Sequence, residues 1–247
     1  MKLLDTNNAN TKIKKTQDDF NKSETKIRLA SMSLNPSNTA ICPMQDVAQC
    51  KAPCLNGSGM AKVFSSVKKA RTAKTNFYLD DKESFIIQLK NELTNFEKLC
   101  KKQNVQPYVR LNTISDIQWE LKSNGCIPQS FPNIQFYDYT KIAKRLGKTP
   151  DNYELMFSYS NASAYQQSVR KALKTDVPIS VVFFGDMPTH FMGKEVIDGD
   201  ESDIVNLSHK NKIVGLKYKS VGAGVDPMDS AFIVDGEDLE IASRWRL

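Results

Sequence analysis

A chain of 247 residues, 40% hydrophobic and 25% charged, suits one large soluble α/β domain better than two small ones. No apolar run approaches the ~20 residues that cross a bilayer. The opening MKLLDTNNANTK also lacks the apolar centre of a secretory signal, so a cytoplasmic, reducing setting is expected. The net charge of +6 permits contact with nucleic acid without requiring it.

Residues 1–24 are rich in Asn, Lys, Thr and Asp and read as a flexible N-terminal arm, followed by an α/β domain over 25–247. Lys26 to Met32 alternates apolar and polar residues, as a short strand does. The segment 42–59, CPMQDVAQCKAPCLNGSG, follows and holds three of the five cysteines. Its prolines and glycines favour a compact loop over a regular element.

Beyond the loop, Met60, Val63, Phe64, Val67 and Ala70 fall at helical spacing and predict a helix packed through that stripe. Lys62, Lys68, Lys69 and Arg71 occupy much of the remaining surface. A second helix begins near Asp80, with Glu83 completing a capping-box pattern. Its stripe of Phe85, Ile86, Leu89, Leu93, Phe96, Leu99 and Cys100 makes Cys100 a core thiol.

Short apolar runs then end repeatedly in polar residues. They start at Tyr108, Ile134, Tyr153, Ile179, Ile213 and Phe232, with amphipathic segments at 141–147 and 164–174. Strands alternating with helices imply parallel βα units. The predicted fold is a partial or complete parallel α/β barrel, with a doubly wound sheet as the alternative. Both place functional residues at the C-terminal ends of strands.

Candidate residues follow from that rule. Asn112, Ser115 and Asp116 follow the second strand, and Ser158 follows the run from Tyr153; these could contact a cofactor, or serve as turn and cap residues. Asp138 and Lys141 set an acid and an amine at one strand end, where acid–base chemistry is available to a buried pair. Asp200 lies in the acidic run 198–203, DGDESD, which offers carboxylates for a divalent metal or caps a short helix near Ile204 to Leu207. Ser220 to Gly224 is glycine-rich, but no helix opens after it. His190 and His209 are isolated, so neither carries a metal pattern.

Cys42, Cys50 and Cys54 are the candidate metal ligands. Three thiolates on one loop can hold three irons of a cubane cluster and leave the fourth iron open. They could also hold zinc with a fourth ligand from elsewhere, or be incidental.

The stretches SLNPSNTAICP, CKAPCLNGSG, KARTAKTNFY, VRLNTISDIQWE, FPNIQFYDYTK and VIDGDESD resemble the phage family called gene product 88, from Leu34 through Lys219. The three-cysteine loop after a first strand, followed by βα units, also looks like the radical S-adenosylmethionine enzymes. The spacing here is longer than that superfamily's usual C-x3-C-x2-C. This resemblance implies a [4Fe–4S] cluster on Cys42, Cys50 and Cys54, S-adenosylmethionine on its open iron, and an external electron donor. The phage resemblance adds the expectation that a nucleotide or nucleic acid is modified in an infected host cell. The alternatives are a zinc-stabilised protein that binds nucleic acid or a host partner, and a metal-dependent hydrolase or nuclease built on the acidic run.

Overall fold

Each apolar run forms a strand in the computed structural model, which describes residues 1–7, 11–22, 26–57, 63–220 and 226–237. The strands are β1 (Ile27–Ser31), β2 (Gln106–Arg110), β3 (Gln135–Thr140), β4 (Tyr153–Ser158), β5 (Ile179–Phe184), β8 (Ile213–Lys217) and β9 (Ile233–Asp235). A ribbon of β6 (His190–Phe191) and β7 (Lys194–Asp198) had no apolar signal, because most of its side chains stay accessible. The helices are α1 (Thr11–Phe20), α2 (Ser65–Asp80), α3 (Lys82–Gln103), α4 (Ile127–Ser130), α5 (Gln166–Leu173) and α6 (Asp203–Ser208). Within the amphipathic stretch 141–147 only a single 3₁₀ turn forms, at Ala143–Arg145.

The strands make one mixed sheet in the order β1-β2-β3-β4-β5-β8-β7-β6, with β9 beside β5. The pairings β1–β2, β2–β3, β4–β5, β5–β8, β5–β9 and β7–β8 are parallel, and the β6–β7 ribbon is antiparallel. The expected α/β architecture is present as one sheet of nine strands, and among the described residues no pairing closes it into a barrel. Its ends are physically finished: β6 is only two residues long, and the outer donors of β1 are taken by other groups. None of the described helices is long and apolar enough to cross a membrane.

The chain divides into two compact units, with β3 and β4 each running from one into the other. The first comprises Met1–Cys42, Phe64–Asp138 and Lys148–Glu154. Its main helix, α3, starts at Asp81, whose carboxylate accepts the Ser84 amide at 3.0 Å, one residue later than the sequence suggests. It ends at Asn104 in the left-handed region, the usual helix stop for an Asn. Phe85, Leu89, Leu93, Phe96 and Cys100 are its buried face, each worth about 1.5–3 kcal/mol of burial. Tyr78, Phe85 and Trp119 form an aromatic cluster beside it, with centroids 5.3 to 6.3 Å apart.

The segment expected to be a flexible arm carries α1 and packed anchors: Leu3, Leu4 and Ile13 are buried. The Glu92 carboxylate accepts the amides of Leu3 and Leu4 at 2.8 to 3.0 Å. The Lys74 ammonium donates to the Leu3 carbonyl at 2.8 Å. The pattern was hidden because these anchors are few and are separated by polar residues.

The second unit comprises Pro43–Val63, Tyr139–Gly147 and Leu155–Leu247. Its centre is β5, which pairs with β8 along one edge. The opposite edge takes β4 at its start, where Phe157 meets Ile179, and β9 at its end, where Phe184 meets Asp235. The handover from β4 to β9 leaves a fork, and the cysteine loop docks there.

Candidate functional site

The loop is held by its backbone rather than by its sulfurs. Ser160, just past β4, donates to the Ala48 carbonyl at 2.8 Å, and Ser230, just before β9, donates to the Gln49 carbonyl. The Asn161 amide donates to Ala231 at 2.8 Å and ties the two sides of the fork together. Within the loop, the amides of Ala48, Gln49 and Cys50 donate to Met44, Asp46 and Gln45, so residues 44–50 form a helical turn. Gln49 closes that turn with φ of 52°, the left-handed region that ends helices. The loop is thus held beyond the C-terminal end of β4. Ser160 falls in the polar run after Tyr153, but nothing in sequence spacing shows that it would reach Ala48.

The cysteines themselves are dispersed in role. Cys50 is buried, Cys42 and Cys54 are half-buried, and none of the five forms a disulfide. The Cys54 sulfur accepts the Asn56 amide at 3.5 Å. The described residues include no group of three or more His, Cys, Asp or Glu placed to hold a metal ion. Cys50 and Cys54 belong to the second unit, and Cys42 is the last residue of a segment of the first. Cys100 is a core thiol, and burial pushes its pKa up to about 11.

Asn112 and Asp138 lie together in the first unit as the centre of a buried polar network. Asp138, at 1% exposure, accepts the Asn112 amide at 2.7 Å, the Asn112 side chain at 3.1 Å and the Tyr153 hydroxyl at 2.8 Å. The Asn112 side-chain oxygen accepts from the Ser115 hydroxyl, the Ile117 amide and the Trp119 indole at 2.8 to 3.2 Å. Its amide nitrogen also donates to the Ile117 carbonyl at 2.9 Å. Both polar ends of Asn112 are thus engaged inside the protein. Asp116 is buried nearby, with its amide on the Ile41 carbonyl at 2.9 Å. This arrangement fixes the turn after β2 against β3 and the first residue of β4. Tyr153 joins it by opening a strand, a place with no functional signal in sequence.

The remaining candidates belong to the second unit and are held by local contacts. The Lys141 ammonium lies 4.6 Å from the centre of the Phe232 ring, a cation–π contact. Ser158 is buried at the end of β4, and its carbonyl accepts the Tyr165 hydroxyl at 3.0 Å. The Asp200 carboxylate accepts the Lys217 amide at 2.8 Å and pairs with the Lys219 ammonium at 3.2 Å. Asp203 accepts the Tyr139 hydroxyl at 3.1 Å and opens α6. The acidic run therefore braces a turn between β7 and β8. Gly199 belongs to that brace: a Cβ there would lie 2.2 Å from a Val214 methyl. Within the glycine-rich Ser220 to Gly224, residues 221–224 lie outside the described residues.

One expectation reverses. The stripe Val63, Phe64, Val67 and Ala70 does not bury: Val63 is 71% and Phe64 48% exposed, and Ala70 is exposed. Met60 lies outside the described residues. The buried residues of α2 are Thr75 and Tyr78, near its other end. Its first half projects a basic surface, with Lys68 and Lys69 exposed and Val67 half-buried, and Phe64 stands just before it. Among the described residues, no ion pair engages either lysine.

No curated protein and no solved structure matches the chain. A family model described as gene product 88 matches residues 1–235. That span contains the cysteine loop, the Asn112–Asp138 network, the acidic run and α2. The chain belongs to the gene product 88 family.

Proposed function

We propose that this protein binds nucleic acid through the projecting first half of α2. The observation that carries this reading is an exposed helical surface whose charge has one sign. Over residues 65–72, the first half of α2, the sequence holds Lys68, Lys69 and Arg71 and no Asp or Glu. Lys68 and Lys69 are exposed there beside the accessible ring of Phe64. Cations neutralise phosphates and release their counterions, and an accessible ring offers a face to an unstacked base.

Two other readings have less support. The iron–sulfur and S-adenosylmethionine reading needs three sulfurs to meet, and the described cysteines give it no such ligand set. The hydrolase reading needs free carboxylates, whereas Asp200 and Asp203 brace neighbouring backbone and side chains.

Fluorescence anisotropy with labelled single-stranded and duplex oligonucleotides over a salt series tests the proposal. Binding should weaken with salt, with a slope of roughly −0.7 to −0.9 per phosphate contact. The double substitution Lys68→Glu and Lys69→Glu lies on exposed surface, so it should leave the fold intact. It should weaken binding by about tenfold or more and flatten the slope by about one to two units. Absence of binding at low salt, or equal affinity in the double variant, overturns the proposal.

A further inference from the structure

The second half of α2 is tied to the first unit. The Asn35 amide donates to the Thr75 hydroxyl at 2.7 Å, and that hydroxyl donates back to the Asn35 carbonyl at 3.2 Å. The Asn35 side chain donates to the Thr72 hydroxyl at 2.9 Å, and Tyr78 is buried with its hydroxyl on the Asn124 side-chain oxygen at 2.9 Å. Toward its start the helix loses that cover. Ser65, Ser66, Lys68, Lys69 and Ala70 are exposed. So is Phe64, whose carbonyl accepts the Val67 amide at 3.1 Å and begins the helix. The first half of α2 is an overhang.

The overhang has two unlike sides. Steps of four and three residues place Phe64, Lys68 and Arg71 in one line that continues to Thr75 and Tyr78. Thr75 and Tyr78 are the buried residues of the helix. The side that carries the ring and these cations is therefore the side that meets the unit further along. Ser66, Lys69, Ala70 and Ala73 lie on the opposite side, where Lys69 is their one charge.

We infer that the nucleic acid bound by α2 is a single strand, with a base stacked on Phe64 and the adjoining phosphate on Lys68. This rests on the nucleic-acid reading above and narrows it. A phenylalanine left in water forgoes the gain of burial, and a base offers a face that covers the ring. In a duplex each base is already covered by its neighbours, so only an unpaired strand has faces to give. The placement argues the same way. A thin, flexible strand can enter along a helix side that turns toward the protein. A duplex would lie on the opposite side, where one lysine would meet it. Arg71, half-buried in the same line as Phe64 and Lys68, adds positive potential for the strand. Stacking and a phosphate contact read neither a sugar hydroxyl nor a base edge, so DNA and RNA strands serve alike.

The test uses full-length protein and anisotropy with labelled oligo-dT, oligo-U and a duplex, each about 15 nucleotides long. Both single strands should bind at least about tenfold tighter than the duplex. Phe64→Leu keeps an apolar side chain but removes the ring. It should weaken single-strand binding by about fivefold or more and leave the salt slope unchanged. Phe64→Tyr keeps a ring and should recover most of that loss. Lys68→Ala should flatten the slope by about 0.7 and cost more affinity than Lys69→Ala. All three positions are exposed, so the variants should keep the wild-type unfolding midpoint. Three results would overturn this inference while leaving nucleic-acid binding in place: a duplex bound as tightly as the single strands, Phe64→Leu binding as wild type, or Lys69→Ala costing more than Lys68→Ala. A protein that binds none of the three oligonucleotides at low salt overturns both.

Discussion

The carboxylate of Asp138 receives Asn112 twice, from its backbone amide at 2.7 Å and from its side chain at 3.1 Å. The two residues are 26 apart in sequence and both are 1% exposed. The contact closes the turn after β2 onto the middle of β3. A buried carboxylate met by several donors rigidifies its surroundings, and loss of an acceptor leaves those donors unpaired.

Asp138→Asn should therefore act on stability first. An amide of the same shape turns donor against donor at one of its two positions, at a cost of about 2–4 kcal/mol. Tyr153→Phe removes one bond to the same carboxylate and should cost less, about 1–2 kcal/mol. Urea unfolding midpoints read both. An Asp138→Asn protein as stable as wild type would show that the network is not a brace and would return Asp138 to the list of catalytic candidates.

Alkaline stability should fall over one broad range of pH. Burial raises the Cys100 thiol from 9.0 to about 11 and the Tyr78 phenol from 10.0 to about 12. The folded state holds both protons after the unfolded chain has released them. Stability is therefore full below the unfolded values and is lost as pH climbs through the folded ones. Tyr78→Phe should flatten the upper part of that fall. At neutral pH it should cost about 1 kcal/mol for the lost bond to the Asn124 side-chain oxygen. Denaturant midpoints measured as a function of pH decide; a slope unchanged by Tyr78→Phe contradicts the assignment.

Anaerobic reconstitution with iron and sulfide checks the cysteine loop. The expected outcome is no chromophore, and the same low metal content in wild type, Cys50→Ala and Cys100→Ala. A thiol titration on the same protein should find Cys100 reacting last, because its thiolate is scarce and its sulfur is buried. Brown protein whose iron and sulfide vanish in Cys50→Ala but not in Cys100→Ala would reinstate the cluster.

The strands were legible because buried strands are short apolar runs, and β5 matched its run from Ile179 to Phe184 residue for residue. The α3 stripe was equally plain, since 3.6-residue spacing sets Phe85, Leu89, Leu93 and Phe96 on one side. The same spacing misled at α2. Periodicity says which residues share a face, not whether another element covers it, and Val63 and Phe64 face outward.

What the sequence determined by itself was local: strand positions, helix faces, the loop character of 42–57 and the excess of positive charge, all consequences of near-neighbour chemistry. The tertiary structure decided whether groups distant in sequence meet. It brought Asn112 to Asp138 and Ser160 to Ala48, and set Gln17 and Asn21 on the amides of β1. Each of those outcomes depends on where hydrogen-bond donors and acceptors point once the chain has closed on itself, and no spacing along the chain encodes that direction.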